Sequence, residues 1–265
     1  MAALIALVLQ GEKESVLGAH SFSCRAGDVL VASMKAPLMG RVTRASDREP
    51  FLVVALGVRP SLVASLLVCA PDIGLGSTPL AITTEAASDA LLDAFLRYTR
   101  LADDPADIPV LAESIEREIL WRVMQGPRGA ALRSIGVPNS SLALIGRAID
   151  ILQQRFAEPV RTAELARAAR MSEPTFCRHF RRATSMTPLQ FQKLLRLQEA
   201  RARLLLTGGS DVTSVSFEVG YQSPSQFSRE YRRQFGTPPG QDAARGRRER
   251  ASGLRGGGAH ELLPG

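Results

Sequence analysis

Histidine, cysteine and most aromatic residues are scarce in this chain: its 265 residues hold three His, three Cys, one Trp and three Tyr. His20, His179 and His260 lie far apart, and none pairs with a suitably spaced His or Glu to form a metal-ligand set. His20 reads as a lone structural histidine of a strand or turn. There is no glycine-rich phosphate loop, nucleophile elbow or acid pair. The chain is therefore expected to need no metal or cofactor and to catalyse no reaction. Cys24, Cys69 and Cys177 are odd in number and unclustered, which excludes a disulfide framework and fits a reducing cytoplasm. No stretch approaches the roughly eighteen apolar residues of a membrane span. Met1–Leu9 is apolar but carries no basic leader, so it reads as a buried strand rather than a signal peptide.

What the chain does have is an uneven share of charge. Residues 140–265 hold about 20 Lys/Arg against about 11 Asp/Glu, whereas residues 1–139 hold about 13 against about 15; the whole carries +7. A basic half joined to a near-neutral half points to a polyanion partner for one part and another task for the other. A merely solvated basic face would look the same on charge alone.

The hydrophobic pattern divides the chain further. Leu4–Leu9, Val29–Ala32 and Phe51–Gly57 are branched, apolar runs separated by turn residues, as in a small antiparallel barrel or jelly roll. The period changes near residue 59. Ser88–Leu101 aligns Leu91, Leu92, Phe95 and Leu96, and Pro109–Met124 aligns Leu111, Ile115, Ile119 and Val123, as amphipathic helices do. These two helices could cover the barrel as a lid or form a dimer seam, and the seam is the reading preferred. Gly126–Gly129 breaks the second helix. Gly136–Ser140 is the expected linker, with a serine cap before a helix over about 141–156.

Two segments in the last third share one layout. Thr162–Arg182 and Val212–Arg233 each read as a short amphipathic helix, a tight turn, and a second helix that opens on Ser and ends in Arg-Arg. In the first, Leu165, Ala166 and Ala169 face inward, Ser172 is the expected cap, and Phe176 and Phe180 form the apolar face. Glu173, Pro174, Cys177, Arg178 and Arg181 then lie outside, and His179 reads as a partly buried spacer. In the second, Asp211 caps the first helix, and Ser223, Pro224 and Gln226 combine a cap, a first-turn proline and a capping-box acceptor. Phe227 and Tyr231 point inward, leaving Ser225, Ser228, Arg229 and Arg232 outside. The second turn is one residue longer: Ala166 to Phe176 spans ten positions, Ser216 to Phe227 eleven.

Thr187 and Pro188 can open a connecting helix that runs unbroken to Gly208-Gly209. At 1.5 Å per residue it is about 27 Å long, against about 34 Å for one turn of duplex, so both second helices could reach successive major grooves on one face. Arg178 and Arg229 suit the acceptor pair of guanine. Arg181, Arg182, Arg232 and Arg233 suit phosphates. One such pattern is common in helical proteins; two with matched caps and a connecting helix are specific.

Residues 141–245 resemble the DNA-binding domain of the AraC/XylS family of bacterial transcription regulators. The resemblance rests on Leu165-Ala166, Met171-Ser172, Phe176–Phe180, Thr187-Pro188, Arg196–Arg201, Val219–Phe227, Phe235-Gly236 and Pro239. Upstream, Val8–Lys13, Ala26–Asp28, Glu116–Trp121 and Gly126-Pro127 resemble the cupin-like N-terminal domain of one subgroup. Arg170 and Ser185 stand where the family often has glycine, and Gln241-Asp242 where a tyrosine is common. The first strand begins almost at Met1, where relatives usually carry more chain, so a longer natural start is expected.

The expected fold is thus α+β. A cupin-like sensor and dimerisation domain (1–136), with a small β-barrel or jelly roll and helices, precedes an all-α DNA-binding domain (137–245) of two helix-turn-helix units on a long helix. A disordered tail follows (246–265). The resemblance implies promoter DNA as partner, a small-molecule effector for the N-terminal domain, RNA polymerase if the protein activates, and a homodimer. The competing expectation is a cupin-like ligand-binding or interaction protein with non-specific affinity for nucleic acid.

Overall fold

A computed structural model of the chain describes residues 3–69, 79–206 and 211–253. The N-terminal part holds seven strands: β1 (Ala3–Gln10), β2 (Glu12–Leu17), β3 (His20–Arg25), β4 (Asp28–Ala32), β5 (Met39–Arg44), β6 (Leu52–Val58) and β7 (Ile82–Ala86). They form two antiparallel sheets, β6-β1-β4-β7 and β3-β2-β5. Three of these strands match the apolar runs of the sequence. The other four have shorter or more polar stretches: β3, β5 and β7 are edge strands, and β2 is the centre of the smaller sheet. A two-residue turn closes the β2–β3 hairpin, with Leu17 opposite His20 and Gly18 at φ 60°, the positive φ that such turns demand.

Strand alternation sends Ile5, Leu7, Val29, Val31 and Leu56 to one face of the larger sheet. Four helices cover that face: α1 (Pro60–Val68), α2 (Asp89–Arg100), α3 (Ile108–Gln125) and α4 (Ala130–Gly136). Leu91 and Phe95 from α2 and Ile115, Ile119 and Val123 from α3 are buried in this core. The predicted apolar faces therefore act first as a lid. Leu96 and Leu111 stay exposed, with Ile108 and Val110. The expected linker is shorter than Gly136–Ser140, because Gly136 closes α4 against α1. A Cβ at Gly136 would lie 2.8 Å from Ala64 N.

The remaining helices are α5 (Ser141–Gln154), α6 (Thr162–Ala168), α7 (Glu173–Thr184), α8 (Pro188–Leu206), α9 (Val212–Glu218), α10 (Pro224–Phe235) and α11 (Pro239–Gly253). Ser140 caps α5 as expected, its hydroxyl accepting from Ala143 N at 3.1 Å. Thr187 and Gln190 form a reciprocal capping box at the start of α8. The expected break at Gly208-Gly209 lies outside the described residues. The tail assigned to disorder from residue 246 is corrected in part, since α11 continues to Gly253. The start of this helix is anchored by the buried Asp242 and Ala243, and its Ala/Arg-rich stretch favours propagation. Residues 254–265 lie outside the described residues.

The chain divides into two compact units. One gathers Met1–Ile151 with Arg161–Phe191, the other Leu152–Val160 with Gln192–Gly265. In this division the first helix-turn-helix belongs with the sheets, whereas the sequence reading grouped the two helix-turn-helix segments together. No single helix among the described residues is long and apolar enough to cross a membrane.

Candidate nucleic-acid interface

The first helix-turn-helix is α6, a turn, and α7. Leu165, Ala166 and Ala169 are buried, as their spacing predicted. The turn closes through Ala169 N donating to Leu165 O at 2.9 Å and Met171 N to Ala166 O at 2.9 Å. Arg170 sits between them at φ 53°, the left-handed region that costs a non-glycine residue about 1–2 kcal/mol. Ser172 occupies the cap position with extended backbone, but its side chain does not cap. Its hydroxyl donates to Thr175 Oγ1 at 3.0 Å instead. Phe176 and Phe180 are fully buried with centroids 5.4 Å apart, and Phe180 meets Phe191 of α8 edge-on at 5.4 Å.

On the opposite face Glu173, Pro174, Cys177, Arg178, Arg181 and Arg182 are all exposed. His179 is half-buried at the margin. Burial first, then the charges of Arg178 and Arg182, push its imidazole below the ordinary histidine value.

The second unit repeats the turn. Val219 N donates to Val215 O at 3.1 Å and Tyr221 N to Ser216 O at 3.0 Å, with Gly220 at φ 89° in the place that Arg170 takes in the first. Met171 and Tyr221 therefore correspond, and the extra residue of the longer turn is Gln222. Asp211 accepts from Thr213 N at 2.9 Å, and Ser223 accepts from Gln226 N at 3.4 Å. Gln226 does not complete a capping box; its amide nitrogen donates to Glu230 at 3.2 Å, drawn by the charged carboxylate. Phe227 and Tyr231 are fully buried, and rings from Tyr221 to Phe235 stack in sequence at 4.6–5.5 Å. Ser225, Arg229, Arg232 and Arg233 are exposed and Ser228 half-buried.

Two polar anchors of this unit escaped the sequence reading. Asp242, almost fully buried, accepts from Tyr231 Oη at 2.9 Å, Arg201 Nε at 2.8 Å and Arg245 at 2.6 Å. Arg196 of α8 donates to the carbonyls of Phe156, Gly220, Ala157 and Glu158 at 2.6–3.2 Å. It fastens the segment that follows α5, Phe156 to Glu158, to the second turn. An open groove of about 450 Å³ lies beside it, lined by Lys193, Phe217, Gln222 and Gln226 among others. Periodicity could not reveal either anchor, because the Asp242 cluster joins side chains of three different helices and the acceptors of Arg196 are backbone.

Outside these helices the thiols divide by burial. Cys24 is buried and its thiol is pushed up to about 11, by burial first, then by the charge of Asp28, with Lys13 opposing. It stays protonated and unreactive at neutral pH. Cys69 and Cys177 are exposed. Among the described residues no group of three or more His, Cys, Asp or Glu could hold a metal ion.

Two matched helix-turn-helix units, each burying two aromatic rings and exposing a basic helix face, define a paired helix-turn-helix fold. The family model described as the AraC-type transcriptional regulator N-terminus matches residues 2–131, and a helix-turn-helix domain model matches residues 165–245. The chain belongs to the AraC/XylS family of transcription regulators. It is 32% identical over 164 residues to the HTH-type transcriptional regulator CdhR of Pseudomonas aeruginosa, covering 61% of this chain and 47% of that one. It is 28% identical over 148 residues to the transcriptional activator RhaS of Yersinia pestis, covering 56% and 51%. These matches thus span about half the length of each relative. The fold is similar to that of ToxT from Vibrio cholerae, solved bound to (E)-4-(8-methylnaphthalen-1-yl)but-3-enoic acid, with a TM-score of 0.56 at 10% identity over 91% of this chain and 89% of that one. An unsaturated-fatty-acid-bound ToxT gives 0.54 at 14% identity, covering 91% and 86%.

Proposed function

We propose that the chain binds promoter DNA sequence-specifically, with α7 and α10 entering successive major grooves. The observation that carries this reading is the match between two exposed arginine faces, on helices whose opposite faces are locked by buried aromatic pairs. Arg178 and Arg229 read guanine edges, and Arg181, Arg182, Arg232 and Arg233 hold phosphates. Glu173, Pro174, Cys177, Ser225 and Ser228 line the same surfaces. The continuous α8, nineteen residues long, joins the two units.

Residues 1–136 are assigned as a sensor and dimerisation domain, 137–245 as the DNA-binding domain. The ligands held by ToxT favour a small-molecule effector for the sensor here. RNA polymerase is a partner if the protein activates. The chain catalyses nothing itself and works in the cytoplasm, away from the membrane. The exposed Leu96, Ile108, Val110 and Leu111 favour a homodimer through α2 and α3. Sedimentation of the full chain and of Leu111→Lys tests this: a dimer that the substitution dissociates supports it, and a monomer at tens of micromolar refutes it.

Competition of a selected promoter fragment against random DNA tests the main reading. A specific-to-random affinity ratio of about 10³ or more is expected. A ratio near one with a steep salt slope would instead show non-specific attraction to phosphate.

A further inference from the structure

The last carbonyls of a helix have no partner within it. In α7 one of these, Ala183 O, accepts from the backbone N–H of Ala81 at 2.8 Å. Ala81 immediately precedes β7. Its own carbonyl accepts from Ser33 N at 2.8 Å and Ser33 Oγ at 2.9 Å, and Ser33 immediately follows β4. Ser33, Ala81 and Ala183 are all fully buried. A continuous hydrogen-bond path thus leads from the end of two adjacent strands into the end of the first reading helix.

A second strand pair meets the same helix end. At the β2–β3 turn, a Cβ on Gly18 would lie 2.8 Å from Met186 Cγ and 2.9 Å from Ser185 O. Ser185 is the left-handed cap of α7, at φ 59°, and Met186 is buried. The end of α10 differs. Its cap, Gly236, has no atom within 4 Å of where a Cβ would stand, and the helix packs into an aromatic core with α8, α9 and α11.

We propose that the N-terminal sheets are a working part of the first reading head and not of the second. Ala81, steadied by Ser33, is a positioning residue for α7: it fixes the last turn, which carries Arg181 and Arg182. α10 is positioned by its own core. Reading of one half-site then depends on the state of β4 and β7, while reading of the other does not. This rests on the assignment of α7 and α10 as the DNA-reading helices.

The test uses the full chain and a promoter fragment that it selects. Arg178→Ala and Arg229→Ala first assign each half-site to its helix. Affinity is then measured for the intact fragment and for versions with either half-site scrambled, using Ala81→Pro, which removes the N–H, and Ser33→Ala. Circular dichroism verifies folding. On the intact fragment the loss is expected to be on the order of tenfold for Ala81→Pro, from an unpaired buried carbonyl, and several-fold for Ser33→Ala. The loss should persist when the α10 half-site is scrambled and vanish when the α7 half-site is. Equal loss in all contexts, or no loss in a folded variant, overturns the proposal. If Ala81→Pro does not fold, Ser33→Ala decides by the same criterion. A full chain that selects no sequence would fail the functional reading before this comparison begins.

Discussion

Gly220 lies so close to Ala157 that a Cβ on the glycine would stand 2.0 Å from the Ala157 carbonyl oxygen. Its φ of 89° is closed to most side chains. The contact fastens the second helix-turn-helix to the segment that follows α5, with Arg196 bonded to both carbonyls. Gly220→Ala is expected to destabilise the chain by more than about 2 kcal/mol, from positive φ and steric overlap together. Urea unfolding measures it. At the equivalent turn position Arg170→Gly should have the opposite sign, a gain of about 0.5–1 kcal/mol, because it removes left-handed strain without removing a buried side chain.

Asp242 gathers a hydroxyl and two guanidinium groups in a buried place. Tyr231→Phe removes one donor and should cost about 1–2 kcal/mol. Asp242→Ala strands all three partners and should cost about 3–5 kcal/mol. The same unfolding titration ranks them; equal losses would mean that the hydroxyl, not the carboxylate, organises the cluster.

DNA affinity should separate two kinds of arginine. Arg178→Ala and Arg229→Ala are each expected to cost about 1–3 kcal/mol and to relax preference at one base pair. Arg181→Ala, Arg182→Ala, Arg232→Ala and Arg233→Ala should weaken all sequences alike and lower the salt slope by about 1 each. Binding titrations at three salt concentrations, on specific and scrambled DNA, distinguish the two. Uniform loss at Arg178 or Arg229 would reassign it to phosphate.

His179 gives a pH signature. Its native imidazole is held below the unfolded value of 6.5, chiefly by burial. Its contribution to stability is complete above that value and is lost as pH falls through it towards the native pKa. Stability should therefore fall more steeply below pH 6.5 in the unaltered chain than in His179→Gln. Urea midpoints between pH 5 and 8 read this directly, and parallel curves would contradict it.

The helical half was largely legible because its signals are local. Caps at Ser140, Thr187, Asp211 and Ser223 mark helix starts, and Phe176/Phe180 and Phe227/Tyr231 mark inward faces at four-residue spacing. Arg170 and Ser185 even show their positive φ as departures from glycine. The sheets were half legible. β1, β4 and β6 are apolar runs, but β3 and β5 expose most of their residues, and their place is set by partners rather than by composition. Arg196 and the Ala81–Ala183 bond were hidden because their acceptors are backbone carbonyls distant in sequence, and the Asp242 cluster because it joins three separate helices, Arg201 lying 41 residues away, which leaves no period to read.

Sequencing the genomic fragments retained by the full chain tests the central claim most directly. A shared site is predicted, made of two half-sites about 10 base pairs apart, with one half lost in Arg178→Ala and the other in Arg229→Ala. Fragments retained without a common sequence, and released together as salt rises, would contradict specific reading by the paired helices.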